Sequence, residues 1–418
     1  MRKKLLFFIS ALFLLLISLS AFYFIKDARK NRTWPFNSGL VLYFPQWVKY
    51  YAYKLTNPND KKLSTQFYKI NLQYFTIPNT ESVGGGGSVN LIKKNKVFLT
   101  LNDGSNYIFN TKTLKFSEIK SNFKNKYTSI RDVYYDEKLS KVFLLGMEKI
   151  NDDCKKIKFD SYKIKYLENK YKFEKSFNIW TSEKLCNNPM ENNGGGRIAK
   201  FNNNFFISTG FFTQNINSGI VEFPQNKNSS FGKVIKINDI NKQNNNSKIF
   251  SIGHRNPQGL FVSEKFKLLL STEHGPFGGD ELNIIYEAKN YGWPCKSYGV
   301  KYSYDFQKDT KTWPEDLQKY GCEKNKIFTD PLFSWSPSIG ASQGLEYKGE
   351  EFKKFQNNFF VSSLKGNSLF RLLMSEKQKI INFEKIFISE RIRDLTETSD
   401  GKILLYTDGG SLILLSRI

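Results

Sequence analysis

Lys96-Val97-Phe98-Leu99, then Asn102-Asp103-Gly104, then Tyr107-Ile108-Phe109: a short apolar run, a turn of small and acidic residues, and a second apolar run. Runs of this length, rich in Val, Phe and Ile and bounded by Asn, Asp and Gly, read as strands joined by turns. The unit recurs at Lys141-Val142-Phe143-Leu144-Leu145, at Phe205-Phe206-Ile207-Ser208-Thr209-Gly210 and at Leu268-Leu269-Leu270-Ser271. It returns at Phe359-Phe360-Val361-Ser362 and at Ile403-Leu404-Leu405-Tyr406 before Asp408-Gly409-Gly410. Such units at irregular spacing, with no helical periodicity after residue 60, predict an all-β chain whose sheets repeat radially as a six-bladed β-propeller. A large sandwich gives similar local signals. Asn/Lys-rich stretches such as Asn241 to Lys248 read as solvated loops and not as linkers, so one β domain is expected over residues 65–418.

Working outward, residues 1–32 read as an export segment. Arg2, Lys3 and Lys4 precede an apolar or small-residue run from Leu5 to Ile25, closed by Lys26, Arg29, Lys30 and Arg32. A helix needs ~20 such residues to span a bilayer. Ser18-Leu19-Ser20 offers small residues around a cut, so a cleaved signal peptide competes with an uncleaved signal anchor. The apolar Phe22-Tyr23-Phe24-Ile25 beyond that point favours the anchor. Basic flanks on both sides leave orientation undecided. Residues 33–64 form an aromatic juxtamembrane or connecting segment. If Pro45 starts a helix there, Trp47, Val48, Tyr51, Ala52 and Leu55 share one stripe, suited either to a membrane surface or to capping one end of the β domain.

The formal net charge of +24 invites a nucleic-acid partner, but the lysines are scattered through strand-like segments and Asn-rich loops rather than gathered in a recognisable module. No nucleic acid is expected; a solvated basic surface attracted to anionic lipid or polysaccharide accounts for the charge. Four cysteines contain no C-x-x-C pair, which leaves a zinc ribbon or a thioredoxin-like site unsupported. In an exported domain two disulfides are expected, and of the possible pairings the sequence-local ones, Cys154/Cys186 and Cys295/Cys322, are favoured.

The chemistry concentrates in three ordered stretches: Gly253-His254-Arg255-Asn256-Pro257-Gln258-Gly259-Leu260, Glu273-His274-Gly275-Pro276-Phe277-Gly278-Gly279-Asp280-Glu281-Leu282-Asn283, and Asn290-Tyr291-Gly292-Trp293-Pro294. Together with Trp335-Ser336-Pro337-Ser338-Ile339-Gly340, Ser363-Leu364-Lys365-Gly366 and Arg391-Ile392-Arg393-Asp394, this order resembles the quinoprotein glucose/sorbosone dehydrogenases. The resemblance is strong from about Asn192 onward, weak across residues 65–190 and absent before that.

It implies two cofactors, pyrroloquinoline quinone (PQQ) and Ca²⁺. The quinone carries three carboxylates, so its site needs inward cations from several blades. Arg391 and Arg393, at i and i+2, share one face of an extended strand, and the resemblance gives them and Lys365 to the carboxylates. Arg255, Asn256 and Gln258 match the polar group beside the quinone carbonyls, with Arg255 stabilising the negative charge that develops there. The carbonyls of Gly275 and Pro276 match ligands of the calcium that polarises the quinone, oxygen donors being what Ca²⁺ takes. Glu281 and the Tyr291 backbone match a second, structural calcium.

The sequence departs from the family at the base. The histidine that accepts the substrate's hydroxyl proton precedes the Arg of a Gly-Arg-Ile/Leu motif by four residues; here the motif is Gly196-Arg197-Ile198, and Asn193 stands at that position. Phe211 stands where an aspartate orients the histidine. The chain's two histidines, His254 and His274, lie inside the cofactor motifs and read as structural hydrogen-bonding residues, while Glu191 is the nearest carboxylate to the vacated position. The resemblance therefore implies a quinoprotein oxidoreductase oxidising an aldose or related alcohol. It would be membrane-anchored facing the periplasm or exterior, or secreted, would pass electrons to an unknown acceptor, and would be slowed by the missing base. The alternative is a catalytically silent propeller that binds a glycan, a protein or the cofactor; an envelope-tethering protein is a third class, resting only on the anchor and the basic surface.

Overall fold

The computed structural model describes residues 60–418 apart from 79–84, 122, 168–169, 187–193, 212–222, 243–246, 301–321 and 323–325. Residues 1–59, which carry the expected membrane-spanning or signal helix and most of the aromatic segment, lie outside the described residues. Among the described residues no helix is long and apolar enough to cross a membrane.

Six antiparallel sheets form the blades of a propeller. Their innermost strands, in blades one to six, are Gly87–Lys93, Ser129–Asp136, Ile198–Phe201, Pro257–Ser263, Ala341–Glu346 and Ile392–Glu397. The second strands are Lys96–Leu101, Lys141–Lys149, Asn204–Thr209, Leu268–Glu273, Phe359–Ser363 and Ile403–Thr407. The recurring apolar runs of the sequence are therefore one structural position seen six times. Each second strand is covered on both faces, and alternate side chains feed opposite neighbours. Phe143 and Leu145 pack toward blade three while Val142 and Leu144 pack toward blade one. Ile403 and Leu405 face blade five while Leu404 faces blade one. One apolar cluster fills each gap between neighbouring blades. Burying a Phe or Leu side chain contributes about 1.5–3 kcal/mol, which makes the ring of clusters the main stabilising element.

The ring closes through the N-terminal side. Lys69–Thr76 pairs antiparallel with the last strand, Ser411–Arg417, and so supplies the fourth strand of blade six. Asp60–Ser64 adds an outer edge to the same sheet, within the stretch that the sequence reads as a connecting segment. Its sequence, DKKLS, has one apolar residue and hence no strand signal. Blade two differs in its long outer hairpin, Cys154–Leu167 with Lys170–Thr181. Both expected disulfides are present, Cys154–Cys186 and Cys295–Cys322.

Inner strands are interrupted. Register shifts leave Arg131, Gln258 and Arg393 as extra residues between ladder pairs in blades two, four and six. A bulge of this kind re-aims a side chain. The carboxylates that follow two of them staple blades together: Asp132 accepts from the amides of Val133 (2.9 Å) and of Ile198 on blade three (2.8 Å). Asp394 accepts from those of Leu395 (2.9 Å) and of Val89 on blade one (2.9 Å).

A candidate active site at the mouth of the propeller axis

Every inner strand begins, and every second strand ends, at the same end of the molecule. The segments before Pro257 and Ile392 and after Glu273, Ser363 and Thr407 therefore gather at one mouth. They carry Arg255 and Asn256, Arg391, His274 to Pro276, Lys365 and Asp408.

At this mouth a polar chain runs from blade to blade. Arg393 Nη1 donates to Gln258 Oε1 (3.4 Å), and Gln258 Nε2 donates to Asn256 Oδ1 (2.8 Å), which also accepts the Gly195 amide (3.0 Å). Asn256 Nδ2 lies 3.5 Å from His274 Nδ1. Gly195 and Gly196 both adopt positive φ, and a Cβ on Gly195 would sit 2.8 Å from the Pro257 carbonyl, so only glycine brings that amide to Asn256.

Arg391 and Arg393 meet on Asp408. Arg393 Nε and Nη2 donate to its two oxygens at 2.9 Å each, and Arg391 Nε reaches Oδ2 at 3.3 Å. Burial would raise the Asp408 carboxyl, but the charges and hydrogen bonds of the two arginines outweigh it and hold the pKa below the usual carboxylate range. Strict strand alternation is not what brings these arginines together: Arg391 precedes the strand and Arg393 is the bulged residue, so the bulge produces the convergence. Lys365 is exposed and has no hydrogen bond or ion pair among the described residues.

The Arg255 guanidinium lies between the rings of Phe211 and Trp293, 5.2 and 5.0 Å from their centroids. Its Nη1 donates to the carbonyls of His274 (2.9 Å) and Gly275 (2.8 Å). His254 turns the other way, as alternation predicts. It is fully buried between Ser251 Oγ (2.7 Å) and Glu273 Oε1 (2.6 Å) and stacked on Tyr291, which is a structural role. His274 is different: its Nε2 is buried without a hydrogen-bond partner among the described residues. Burial lowers its pKa; Asp280 opposes this, and Arg255 and Arg393 add to it, so the ring is held neutral. Asn193 and Glu191 lie outside the described residues.

Fit to the implied groups can be judged from these donors. Cations from blades five and six, amides from blade four and the unpartnered His274 Nε2 suit a polyanion with ring acceptors. For the first calcium the chain offers two neutral carbonyls, and Arg255 already occupies that of Gly275. Around the second, Glu281 lies beside Glu273, and burial followed by that neighbouring charge pushes its pKa up to about 8. Asn283 Nδ2 donates to Glu281 (3.0 Å) and Glu273 (3.3 Å), while its Oδ1 is buried without a hydrogen-bond partner among the described residues. Crowded carboxylates and an orphaned acceptor fit an oxygen-seeking cation. Tyr291 is held next to them by its amide on the Ile252 carbonyl (2.9 Å). No group of three or more His, Cys, Asp or Glu with metal-binding geometry occurs among the described residues.

Sequence reasoning misses Arg131, Asp408 and the inward role of Arg197. Arg197 is buried and reaches Asp132 (3.3 Å), Asp394 (3.4 Å) and the Gln258 (2.7 Å) and Arg393 (2.9 Å) carbonyls. Two of its partners, Asp132 and Asp394, also line a cavity of about 260 Å³ along the inner strands. The signal for Arg131 is present in the sequence, since Ile130-Arg131-Asp132 repeats Ile392-Arg393-Asp394.

These features define the class: a six-bladed β-propeller with a cation-rich axial mouth. The chain belongs to the glucose/sorbosone dehydrogenase family, which it matches over residues 86–415. It is 32% identical over 200 residues to the aldose sugar dehydrogenase YliI of Escherichia coli, covering 44% of this chain and 50% of that one. It is 28% identical over 226 residues to quinoprotein glucose dehydrogenase B of Acinetobacter calcoaceticus, covering 41% and 47%. The match thus spans about half the length of these curated relatives. A glucose dehydrogenase crystal structure shares the fold with a TM-score of 0.67 at 22% identity, covering 83% of this chain and 99% of that one.

Proposed function

We propose that this protein is a quinoprotein oxidoreductase that oxidises an aldose or related alcohol at the axial mouth, with PQQ and Ca²⁺ as cofactors. The observation that carries the reading is the unbroken polar chain Arg393–Gln258–Asn256–His274, flanked by Arg391, Lys365 and Arg255. Relatives named for aldose sugar and quinoprotein glucose dehydrogenase activity support it. Lys365, Arg391 and Arg393 would hold the quinone's carboxylates through charge-assisted bonds of about 1.5–3 kcal/mol each. Asn256 and Gln258 would orient it, and the Gly275 and Pro276 carbonyls would share the calcium, with Glu281 and the Tyr291 carbonyl at a second one. When bound, the quinone supplies a two-electron acceptor for hydride.

Arg255, steadied by Phe211 and Trp293, would offer its charge where negative charge develops. Asn193, at the position of the family's base, cannot accept a proton near neutral pH. Phe211 is buried against Trp293 and supplies no carboxylate. Loss of a general base costs about 10²–10⁴ in rate, so turnover is slow and relies on water for proton loss. Two disulfides and the residue 1–32 pattern support export to an oxidising compartment, with an anchor at the N-terminal side and electrons leaving to a separate acceptor.

The test is anaerobic titration of residues 60–418 with PQQ and Ca²⁺, following quinone absorbance before and after aldoses are added. Tight quinone binding with slow reduction by a sugar is expected. Tight binding with no reduction by any aldose would overturn the enzymatic reading in favour of a silent propeller.

A further inference from the structure

Gly196-Arg197-Ile198 marks the position of the base in the sequence, yet its arginine belongs to no cofactor set. Arg197 stands just before Ile198–Phe201, the inner strand of blade three. Its amide donates to Ser208 Oγ (3.0 Å) and its carbonyl accepts the Ser208 amide (2.9 Å), so its backbone is fixed to its own blade. The side chain leaves that blade. From blade three it reaches blades two, four and six, which places the buried guanidinium across the propeller axis.

What it touches is the bulges. Nε donates to the carbonyl of Gln258, the extra residue of blade four, at 2.7 Å. Nη2 donates to the carbonyl of Arg393, the extra residue of blade six, at 2.9 Å. Nη1 lies between Asp132 (3.3 Å) and Asp394 (3.4 Å), the residues that follow the bulges of blades two and six. A bulge turns its extra residue out of the ladder, and a buried carbonyl so released must find another donor. One planar fork with N–H groups in fixed directions serves two such carbonyls and two carboxylates; a lysine ammonium cannot span them.

The same two bulged residues carry side chains into the mouth. Arg393 Nη1 donates to Gln258 Oε1 (3.4 Å), and Gln258 Nε2 continues the chain to Asn256 (2.8 Å). A guanidinium that pins both carbonyls therefore also sets how far apart those side chains begin. Charge keeps the fork in place. Burial raises the Asp394 pKa to about 7, with Arg197 opposing and Asp132 adding to it, so two buried carboxylates compete for one counter-charge.

We propose that Arg197 is the positioning residue of the quinone site: by holding the carbonyls of two bulges it sets Gln258 of blade four against Arg393 of blade six, and it acts on the bound group only through them. The inference rests on the quinone-site reading for what is bound, and on the hydrogen bonds alone for how the two side chains are held.

The experiment titrates the full-length protein with PQQ in saturating Ca²⁺ and reads affinity from quinone absorbance, beside urea denaturation of each variant. Arg197→Lys keeps the charge and loses the fork, and quinone affinity falls about tenfold or more, as when the groups that orient a binding residue are loosened. Asn90→Ala is the structural control. It removes a hydrogen bond between the inner strands of blades one and two (Asn90 Nδ2 to the Val133 carbonyl, 2.6 Å) and lowers the denaturation midpoint with affinity unchanged. Gln258→Ala closes a double-mutant cycle. In that background the fold-loss caused by Arg197→Lys shrinks by about threefold or more, because one of the two residues it acts through is gone. Native affinity in Arg197→Lys, or the same fold-loss in both backgrounds, overturns the proposal. If Arg197→Lys fails to fold, Asp132→Asn takes its place in the cycle, since the described contacts join Asp132 to Gln258 through Arg197. A native protein that takes up no quinone removes the quinone reading instead. The cycle is then read on urea midpoints, where coupled losses sustain the positioning role and additive losses overturn it.

Discussion

At the residue scale Asp408 neutralises Arg391 and Arg393, and on the proposed function it would compete with an anionic ligand for them. Its depressed pKa means that it stabilises the fold above the unfolded value of about 3.9, and that this contribution is lost as pH falls through the lower folded value. Asp408→Asn strands the nearly buried Arg393 guanidinium, Arg391 being partly solvated, and should cost about 3 kcal/mol in urea denaturation. The variant should then gain more stability from added PQQ than the native protein does; equal gains would show that Asp408 is no competitor. Lys233 titrates in the opposite sense. Fully buried at the start of Lys233–Ile237, the third strand of blade three, it donates Nζ to the Pro224 (3.1 Å) and Phe231 (2.6 Å) carbonyls. Burial nevertheless pushes its pKa down to about 7. Between about pH 7 and about 10.4 the unfolded chain binds this proton more tightly than the fold does, so the contribution to stability rises with pH across that window. Lys233→Met should flatten the rise between pH 7 and 10, measured as the change in denaturation midpoint; an unaltered slope would assign the rise to other groups.

At the scale of elements, the second strands are legible in the sequence and the first strands are not, for one physical reason. A second strand is sandwiched between two neighbouring blades, so both of its faces are apolar and it reads as an unbroken run such as Lys141-Val142-Phe143-Leu144-Leu145. An inner strand lines the axis, carries Arg131-Asp132, Gln258 or Arg393-Asp394, and is broken by a bulge, so neither composition nor period announces it. The candidate site is legible where family motifs coincide with strand ends, as at Arg255-Asn256 and Lys365. Asp408 escapes because an acidic residue before two glycines reads as a turn, and Arg131 escapes because its motif lies where the resemblance is weak. The turn Gly194–Gly196 ties an element end to the candidate site, its Gly195 amide donating to Asn256 Oδ1. Gly195→Ala demands a left-handed alanine, φ 56°, against backbone at 2.8 Å, and should cost about 1–3 kcal/mol. It should also weaken quinone affinity more than Ala substitutions at distant loops of equal stability cost, because the Gly195 amide holds Asn256 in place. A fall in melting temperature with unchanged quinone affinity would reduce that turn to a purely structural device.

For the whole molecule, the decisive feature is that one ring of blades is closed by strands from opposite ends of the described chain. Ile70 and Leu72, each 1% exposed, lie in the apolar cluster between blades five and six, and seven consecutive register pairs join Ile70–Thr76 to Ser411–Arg417. Blade six cannot complete its sheet, nor that gap its core, until the first strand has met the last, so folding of the ring waits on its most distant contact. A protein beginning at Ile77 would present Ser411–Arg417 as an open edge whose inward residues, Leu412 to Leu415, remain apolar, the arrangement that recruits strands from other chains. It should therefore associate or precipitate and lose cooperative unfolding, whereas a protein beginning at Asp60 should stay monomeric in sedimentation. A peptide of residues 66–78 added to the shorter protein during refolding should restore the monomer, since strand addition to an exposed edge recovers both the hydrogen bonds and the two buried side chains. A soluble, cooperatively melting protein beginning at Ile77 would mean that the six inter-blade clusters hold the ring without its clasp, and that the mouth where Arg393 of blade six reaches Gln258 of blade four is shaped by the blades alone.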